Sequence, residues 1–108
     1  MEHDKNAEIA KYMEQLTPLV DSVNEELFDN IVKGVSNIMF NRDASLVSCS
    51  DESELDTIKN GFIKKHLGLE GEEAENILGV VCSKMSGVKF KYRAVFYYLL
   101  AEEAGSYK

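Results

Sequence analysis

The fold is decided by residues 89–101, Lys-Phe-Lys-Tyr-Arg-Ala-Val-Phe-Tyr-Tyr-Leu-Leu-Ala. This stretch holds five of the ten aromatic side chains, and a helical repeat places apolar residues on two opposite faces. One face carries Val88, Tyr92, Val95, Phe96 and Leu99, and the other carries Phe90, Ala94, Tyr97, Tyr98 and Ala101. A helix that is apolar on two faces is covered on both. The stretch therefore predicts a central C-terminal helix, whose second face packs either against this chain or against another molecule.

The second face supplies a candidate interface, made of Phe90, Tyr97, Tyr98 and Ala101. Tyrosine suits the rim of an interface because its ring is buried while its hydroxyl keeps a polar partner or water. In one interpretation this face meets a second copy of the chain in a homodimer. In the other, the chain is a monomer in which the remaining helices cover both faces.

The periodicity of the apolar residues predicts five helices, at about residues 4–15, 24–40, 51–66, 71–85 and 89–104. Pro18 ends the first helix, and the pattern Ser22-x-x-Glu25 predicts the start of the second. Ser50 is expected to cap the third helix, and Gly68 and Gly105 to end the third and the fifth. Residues 1–108 are thus predicted to form one all-α domain, orthogonal or bundle-like.

Composition excludes several classes of protein. The longest uninterrupted apolar run, Ala94–Ala101, has eight residues, which is too short to cross a bilayer. The first residues show no apolar stretch typical of a signal peptide, so we expect a cytoplasmic protein with no membrane partner. Cys49 and Cys82 are too few and too far apart for a disulfide framework, and we expect reduced thiols.

The charge is uneven along the chain. The net charge is -7; residues 1–58 carry 13 acidic and 4 basic residues (-9), and residues 59–108 carry 6 acidic and 8 basic (+2). The halves are therefore expected to attract each other, within one chain or between two. Lys84, Lys89, Lys91 and Arg93, with aromatic residues between them, form a basic patch that suits single-stranded nucleic acid. Overall acidity nevertheless argues against nucleic acid as the main partner.

Candidate reactive residues have simpler structural interpretations. Cys49 precedes a helix start, where a thiol is activated, but the acidic residues that follow disfavour a thiolate. His66 lies in the last turn of the third predicted helix and is expected to bond its free carbonyl groups. We find no motif for a cofactor or a metal and no nucleophile with a base at a recognisable spacing, so we predict no enzyme, no cofactor and no metal site.

Several segments together resemble a known family. They are Val47-Ser48-Cys49-Ser50-Asp51, Glu54-Leu55-Asp56-Thr57-Ile58-Lys59-Asn60 with Phe62, Leu67-Gly68-Leu69, Lys91-Tyr92-Arg93-Ala94-Val95 and Tyr97-Tyr98-Leu99-Leu100. In these the chain is similar to the domain-of-unknown-function family numbered 2853, mainly over residues 43–69 and 89–100. The resemblance implies a short, soluble, helical bacterial protein with no assigned activity. It implies no catalytic or binding residue, and His66 and Cys49 stand where the family pattern leads us to expect other residues.

These observations favour a non-enzymatic module for protein interaction or oligomerisation. The expected partner is a protein, including a second copy of this chain, and no small-molecule ligand is indicated. One alternative is a nucleic-acid-associated protein that uses the basic cluster from Lys84 to Arg93. Another is an enzyme whose site is assembled in space and leaves no motif in the sequence.

Overall fold

Helices dominate the part of the chain that the computed structural model describes, residues 5–35 and 46–105. They are α1 (Lys5–Leu16), α2 (Glu25–Val35), α3 (Glu52–Ile58), α4 (Gly71–Lys84) and α5 (Arg93–Ala104). A 3₁₀ turn at Thr17–Leu19 follows α1, with Pro18 in its first turn, and a π-helix at Lys59–Leu67 continues α3. The predicted all-α class is confirmed. The last residues of the second predicted helix, 36–40, lie outside the described residues.

Helix α5 lies at the centre of the molecule. Eight of its twelve residues are buried, and it packs against α1, α2, α4 and the π-helix. Phe96, Tyr98 and Leu100 are fully buried, together with Tyr12 and Leu16 of α1. The central position predicted for the C-terminal helix is therefore confirmed, and the other helices of this same chain supply most of its cover.

The start predicted for this helix, Lys89, is wrong. Residues 89 and 90 form a bend, residues 91 and 92 are extended, and α5 begins four residues later than predicted, at Arg93. Lys91–Tyr92 form strand β2, which pairs antiparallel with strand β1 (Leu46–Val47), Leu46 opposite Tyr92. The helical pattern is only a local preference. The hydrogen bonds to β1, which the tertiary fold brings next to this segment, outweigh it. As a result, Phe90 does not belong to the second face of α5.

Helices α2 and α3 are capped by a polar residue close to the one predicted from the sequence. Asn24, rather than Ser22, caps α2, since its Oδ1 accepts a hydrogen bond from Leu27 N–H at 3.1 Å. Asp51, rather than Ser50, caps α3, with its Oδ1 accepting from the amides of Ser53 (3.0 Å) and Glu54 (3.3 Å). Hydrogen bonds from Ser53 and Glu54 to this carboxylate lower the pKa of Asp51.

Two glycines end helices as predicted. Gly68 follows the π-helix with φ 71°, and Gly105 follows α5 with φ 75°. Both lie in the left-handed region, which residues with a Cβ rarely adopt. Within the described ranges, each helix is too short or too polar to cross a membrane.

Candidate docking site around Phe90

Phe90 is the most exposed large apolar side chain in the described part of the chain. Its exposed fraction is 60%, and the next exposed large hydrophobic residue is Val80 on α4, at 38%. Phe90 lies in the bend between α4 and α5, directly before β2. A phenylalanine left in water loses the free energy that burial supplies, about 2 kcal/mol. Such a ring is a candidate contact for a partner.

The side chain of Gln15 holds the backbone on both sides of this position. Its Nε2 donates a hydrogen bond to the carbonyl of Phe90 at 2.7 Å, and its Oε1 accepts one from the amide of Tyr92 at 3.1 Å. One side-chain amide thus occupies the place along β2 that a neighbouring strand's peptide group takes in a sheet. On the other strand, Leu46 O accepts a hydrogen bond from Arg93 Nη2 at 3.3 Å. The exposure of Phe90 is therefore imposed by a fixed backbone.

A groove of about 660 Å³ lies beside Phe90. Two segments line it: Leu46, Val47, Ser48, Cys49 and Ser50, which we call the first wall, and Lys89, Phe90 and Lys91, which we call the second wall. The first wall is apolar or hydroxylic and uncharged. The charged side chains among the lining residues are thus two lysines, which make this groove positive on a chain of net charge -7.

The two lysines lie close to the exposed ring. Lys89 Nζ is 5.4 Å from the centre of the Phe90 ring, within the range of a cation–π contact. Lys91 is half-buried, and its Nζ donates a hydrogen bond to Val88 O at 2.9 Å. An ammonium group placed this way still has two further hydrogens to donate. Phe90 and these lysines combine an apolar contact with two cationic donors.

The other two residues of the predicted basic patch lie elsewhere. Lys84 Nζ is 3.5 Å from Glu103 Oε2, so an acidic neighbour compensates its charge. Arg93 is buried, with 9% of its surface exposed, and its Nη2 forms an ion pair with Glu54 Oε1. The expected continuous patch of Lys84, Lys89, Lys91 and Arg93 is therefore corrected to the pair Lys89 and Lys91. An arginine at the start of a central helix is covered by the elements that pack around it.

Arg93 joins three elements instead. Its Nη1 donates to Tyr97 Oη at 3.0 Å, and its Nη2 reaches both Leu46 O and Glu54. Burial alone would lower the pKa of Arg93, but the contacts with Tyr97 and Glu54 outweigh it, and the pKa is raised. The guanidinium therefore stays charged and ties α5 to β1 and α3.

The predicted interface face is largely core. Tyr98 and Ala101 are 0% and 1% exposed, so neither is available to a partner. Tyr97 is half-buried, and its ring stacks on Phe62 at a centroid distance of 3.9 Å. The interface predicted for Tyr98 and Ala101 is thus corrected, because α2 and the π-helix close the second face. Of the four residues, Phe90 alone is exposed.

Tyr98 has its polar end satisfied within the chain. Its hydroxyl accepts a hydrogen bond from Asn24 N–H at 2.8 Å and donates one to Glu102 Oε2 at 3.1 Å. Burial raises the pKa of Tyr98, and Glu102 adds to the rise. The ring and its hydroxyl link the start of α2 to α5 and serve the core.

A family model described as a protein of unknown function, DUF2853, matches residues 11–108. This chain belongs to the DUF2853 family. The match takes in α4 and the second half of α1, so it reaches further than the segments that carry the resemblance in the sequence. No curated protein matches the sequence.

The two cysteines of this DUF2853 chain form a disulfide bond. Cys49 and Cys82 lie 33 positions apart, and their Cα atoms are 5.9 Å apart. The expectation of separate reduced thiols, and with it that of a free thiol at Cys49, is wrong. The sulfurs meet at a cleft between α3 and α4, a tertiary contact that the spacing of two cysteines does not reveal.

His66 packs on an aromatic side chain. Its ring centroid is 5.5 Å from that of Phe62, whose other contact is the stacked ring of Tyr97. The histidine thus takes part in an aromatic cluster between the π-helix and α5. In the described ranges, histidine, cysteine and acidic side chains form no group of three that could hold a metal ion.

No pattern in the sequence indicates the role of Gln15. It closes the first predicted helix as an ordinary polar residue, and its two hydrogen bonds reach residues 75 and 77 positions away. A single sequence carries no signal for contacts over such a distance. The sequence pattern does single out Phe90, but it predicts a place on a helix face rather than in a bend before β2.

Proposed function

We propose that this DUF2853 chain is a non-enzymatic protein-interaction module whose docking site is the groove beside Phe90. The observation that carries the proposal is that Phe90 is 60% exposed although Gln15 fixes the backbone on both sides of it. Large exposed aromatic side chains supply much of the binding energy in interfaces. A backbone that is already ordered loses little further entropy when a partner binds.

The partner expected from this groove is an acidic protein segment that carries a large apolar side chain. Its apolar side chain would cover Phe90, and its carboxylates would lie near Lys89 and Lys91. The lysines make the groove positive, so an acidic segment is attracted and a basic one repelled. The hydroxyl groups of Ser48 and Ser50, both exposed, add hydrogen-bond donors on the first wall.

A second copy of this chain is one protein that offers acidic surface, because residues 1–58 carry a net charge of -9. The proposed site nevertheless favours another protein over a homodimer. Burial of Tyr98 and Ala101 removes the apolar area that motivated the dimer, and Phe90 alone is small beside the interface area of a stable dimer. Self-association therefore enters as an outcome of the test.

The cytoplasmic location is also a proposal. The Cys49–Cys82 disulfide bears on it, since cytosolic thiols are kept reduced except in pairs that are oxidised transiently. Trapping free thiols with an alkylating mass tag in intact cells, followed by fractionation, measures both the location and the redox state. A protein found outside the cytoplasm with its thiols fully oxidised would overturn the proposed location.

The docking site is tested with two panels of labelled peptides in fluorescence polarisation. One panel places Leu, Phe or Trp between glutamates, and the matched panel replaces the glutamates by lysines. We expect saturable binding of the acidic panel alone. Phe90→Ala should weaken this binding by about tenfold or more, a loss usual for a central aromatic contact. Val80→Ala, which trims the other exposed apolar side chain, is the matched control and should leave binding unchanged.

Charge reversal and two further probes complete the test. Lys89→Glu with Lys91→Glu should transfer the preference to the basic panel. Equal binding of both panels by the wild-type chain would overturn the proposal. Tighter binding of a labelled oligothymidylate, lost in the same lysine variant, would instead support nucleic acid. A dimer in sedimentation experiments that Phe90→Ala dissociates would identify a second copy as the occupant.

A further inference from the structure

We propose that the Cys49–Cys82 disulfide is a redox switch for the groove beside Phe90: the oxidised chain presents the formed groove, and reduction releases residues 48–50 of its first wall. The inference rests on the proposed function, because it concerns the regulation of that same site. The structure supplies three observations for it: where the bond is attached, what else holds the attached wall, and how open the sulfurs are.

The bond attaches a groove wall to a helix of the core. Cys49 belongs to the first wall, residues 46–50, and Cys82 lies in the last turn of α4. α4 packs on the central helix α5, with Val81, next to Cys82, fully buried. The disulfide therefore fixes the position of the wall relative to the core.

Among the described residues, the hydrogen bonds of residues 48–50 are local, and Cys49 itself packs against the edge of the core. Ser48 and Ser50 are exposed, and their hydroxyl groups contact each other at 3.1 Å. Ser48 O accepts a hydrogen bond from the Asp51 amide at 3.3 Å, which again stays within the turn. The pairing of β1 with β2 ends at Val47. Between that pairing and the first turn of α3, the disulfide is thus the covalent cross-link that ties residues 48–50 to α4.

The sulfur atoms lie where a reductant can approach. Cys49 and Cys82 are both half-buried, and both line an open cleft between α3 and α4. Other lining residues of this cleft include Leu55, Lys59 and Leu78. A disulfide that is partly exposed exchanges with thiols, whereas a fully buried one is protected from attack. The cleft and the groove share Cys49, so reduction of the disulfide from the cleft also changes the lining of the groove.

The reduction requires a dithiol, such as a thioredoxin-type protein or dithiothreitol. A thiolate of the dithiol attacks one sulfur of the pair, and the other leaves as a thiolate, so a mixed disulfide forms. The second thiol of the reductant then displaces the remaining sulfur and closes the reductant's own disulfide. The chain gains two electrons and two protons and ends with two thiols, while the dithiol is oxidised.

The structural consequence is measured without any ligand. Hydrogen exchange is followed by mass spectrometry in the oxidised chain, in the chain with excess dithiothreitol, and in a Cys49→Ser, Cys82→Ser variant. We expect faster exchange at residues 48–51 in the reduced chain and in the variant, with the amides of α5 still protected. Unchanged exchange at residues 48–51, or loss of protection throughout the chain, would overturn the switch.

The binding consequence is measured with the acidic peptides of the docking experiment. Reduction should weaken binding by about tenfold, the factor expected if the wall is in place in one molecule out of ten. The serine variant should bind as the reduced chain does and should not respond to dithiothreitol. Changed exchange with no peptide binding in either redox state would refute the docking function alone. Equal binding in both states, despite changed exchange, would refute the switch alone.

Discussion

At the scale of single residues, the exposure of Phe90 depends on Gln15. Gln15→Ala removes two hydrogen bonds, to Phe90 O and from Tyr92 N–H, and should lower the free energy of unfolding by about 2 kcal/mol. The Tyr92 amide should exchange faster, and the acidic peptides should bind more weakly. Urea unfolding and hydrogen exchange measure these effects. Glu14→Ala, at the exposed neighbouring position, is the control. An unchanged Tyr92 amide would contradict the role given to Gln15.

Tyr12 gives a prediction at alkaline pH. It is 1% exposed and its ring meets that of Tyr92 at 5.1 Å; burial and the nearby Glu8 raise its pKa to about 12. Above pH 10 or so, the unfolded chain loses this proton while the folded chain keeps it. Stability that is complete below that pH is therefore lost as the pH rises toward 12, by at most about 1.4 kcal/mol per pH unit.

Urea unfolding at a series of alkaline pH values tests this dependence. Tyr12→Phe keeps the ring and removes the ionisable group, so its stability should fall less steeply with pH than that of the wild type. Some slope should remain, because burial also raises the pKa of Tyr98. Equal slopes in the variant and the wild type would show that the Tyr12 hydroxyl ionises as readily in the folded chain as in the unfolded one.

Local signals predicted some residue positions and not others. Gly68 and Gly105 could be predicted as helix ends because a left-handed residue is a local requirement that glycine meets. The sequence pattern predicts Ser22 and Ser50 as the caps of α2 and α3, whereas Asn24 and Asp51 cap them in the structure. Serine, asparagine and aspartate cap with similar free energies, so packing of the helix decides among neighbours.

At the scale of elements, the pair of Arg93 and Glu54 fixes the start of α5 against α3. Removing one partner leaves the other's charge partly buried without its counter-charge. We expect Arg93→Met and Glu54→Met each to cost about 2–4 kcal/mol, and the double variant to cost less than their sum by about 1–3 kcal/mol. A double-mutant cycle in urea measures this coupling free energy.

The exposed pair Lys64 and Glu70 is the control for the cycle. Its atoms are 3.7 Å apart, and its side chains are 61% and 74% exposed. Water screens such a pair, so its coupling should be below about 0.5 kcal/mol. Similar coupling in the two cycles would mean that the Arg93 pair acts as a surface ion pair and does not organise the start of α5.

Element boundaries could be predicted wherever the decisive contacts are local. The ends of α1 and α4 agree with the periodic pattern to within one residue. The start of α5 does not, because Lys91 pairs with Val47, and Gln15 holds the segment from the other side. The disulfide escapes prediction for the same reason, since the two cysteines meet at the cleft between α3 and α4. These contacts join residues that only the tertiary fold brings together.

At the scale of the whole molecule, Tyr98 and Phe90 distinguish core from docking surface. Sequence alone placed both on one face, but Tyr98 is 0% exposed and Phe90 60%. Tyr98→Asp places a carboxylate in the core and removes the hydrogen bonds with Asn24 and Glu102, so it should lower stability by more than about 5 kcal/mol and unfold most of the chain. Phe90→Asp puts the same group in water and should leave the fold intact.

Circular dichroism and sedimentation distinguish the alternatives for both variants. Tyr98→Asp should lose helical signal, and Tyr98→Phe, which keeps the ring, should stay folded with a loss of about 1–2 kcal/mol. Phe90→Asp should retain its helical signal and lose acidic peptide binding, because its charge repels the ligand. If the wild type were a dimer and Tyr98→Asp were a folded monomer, Tyr98 would belong to an interface and the assignment to the core would be wrong. An unfolded Phe90→Asp would instead mean that the chain covers Phe90 in solution, and the groove would then be part of the core.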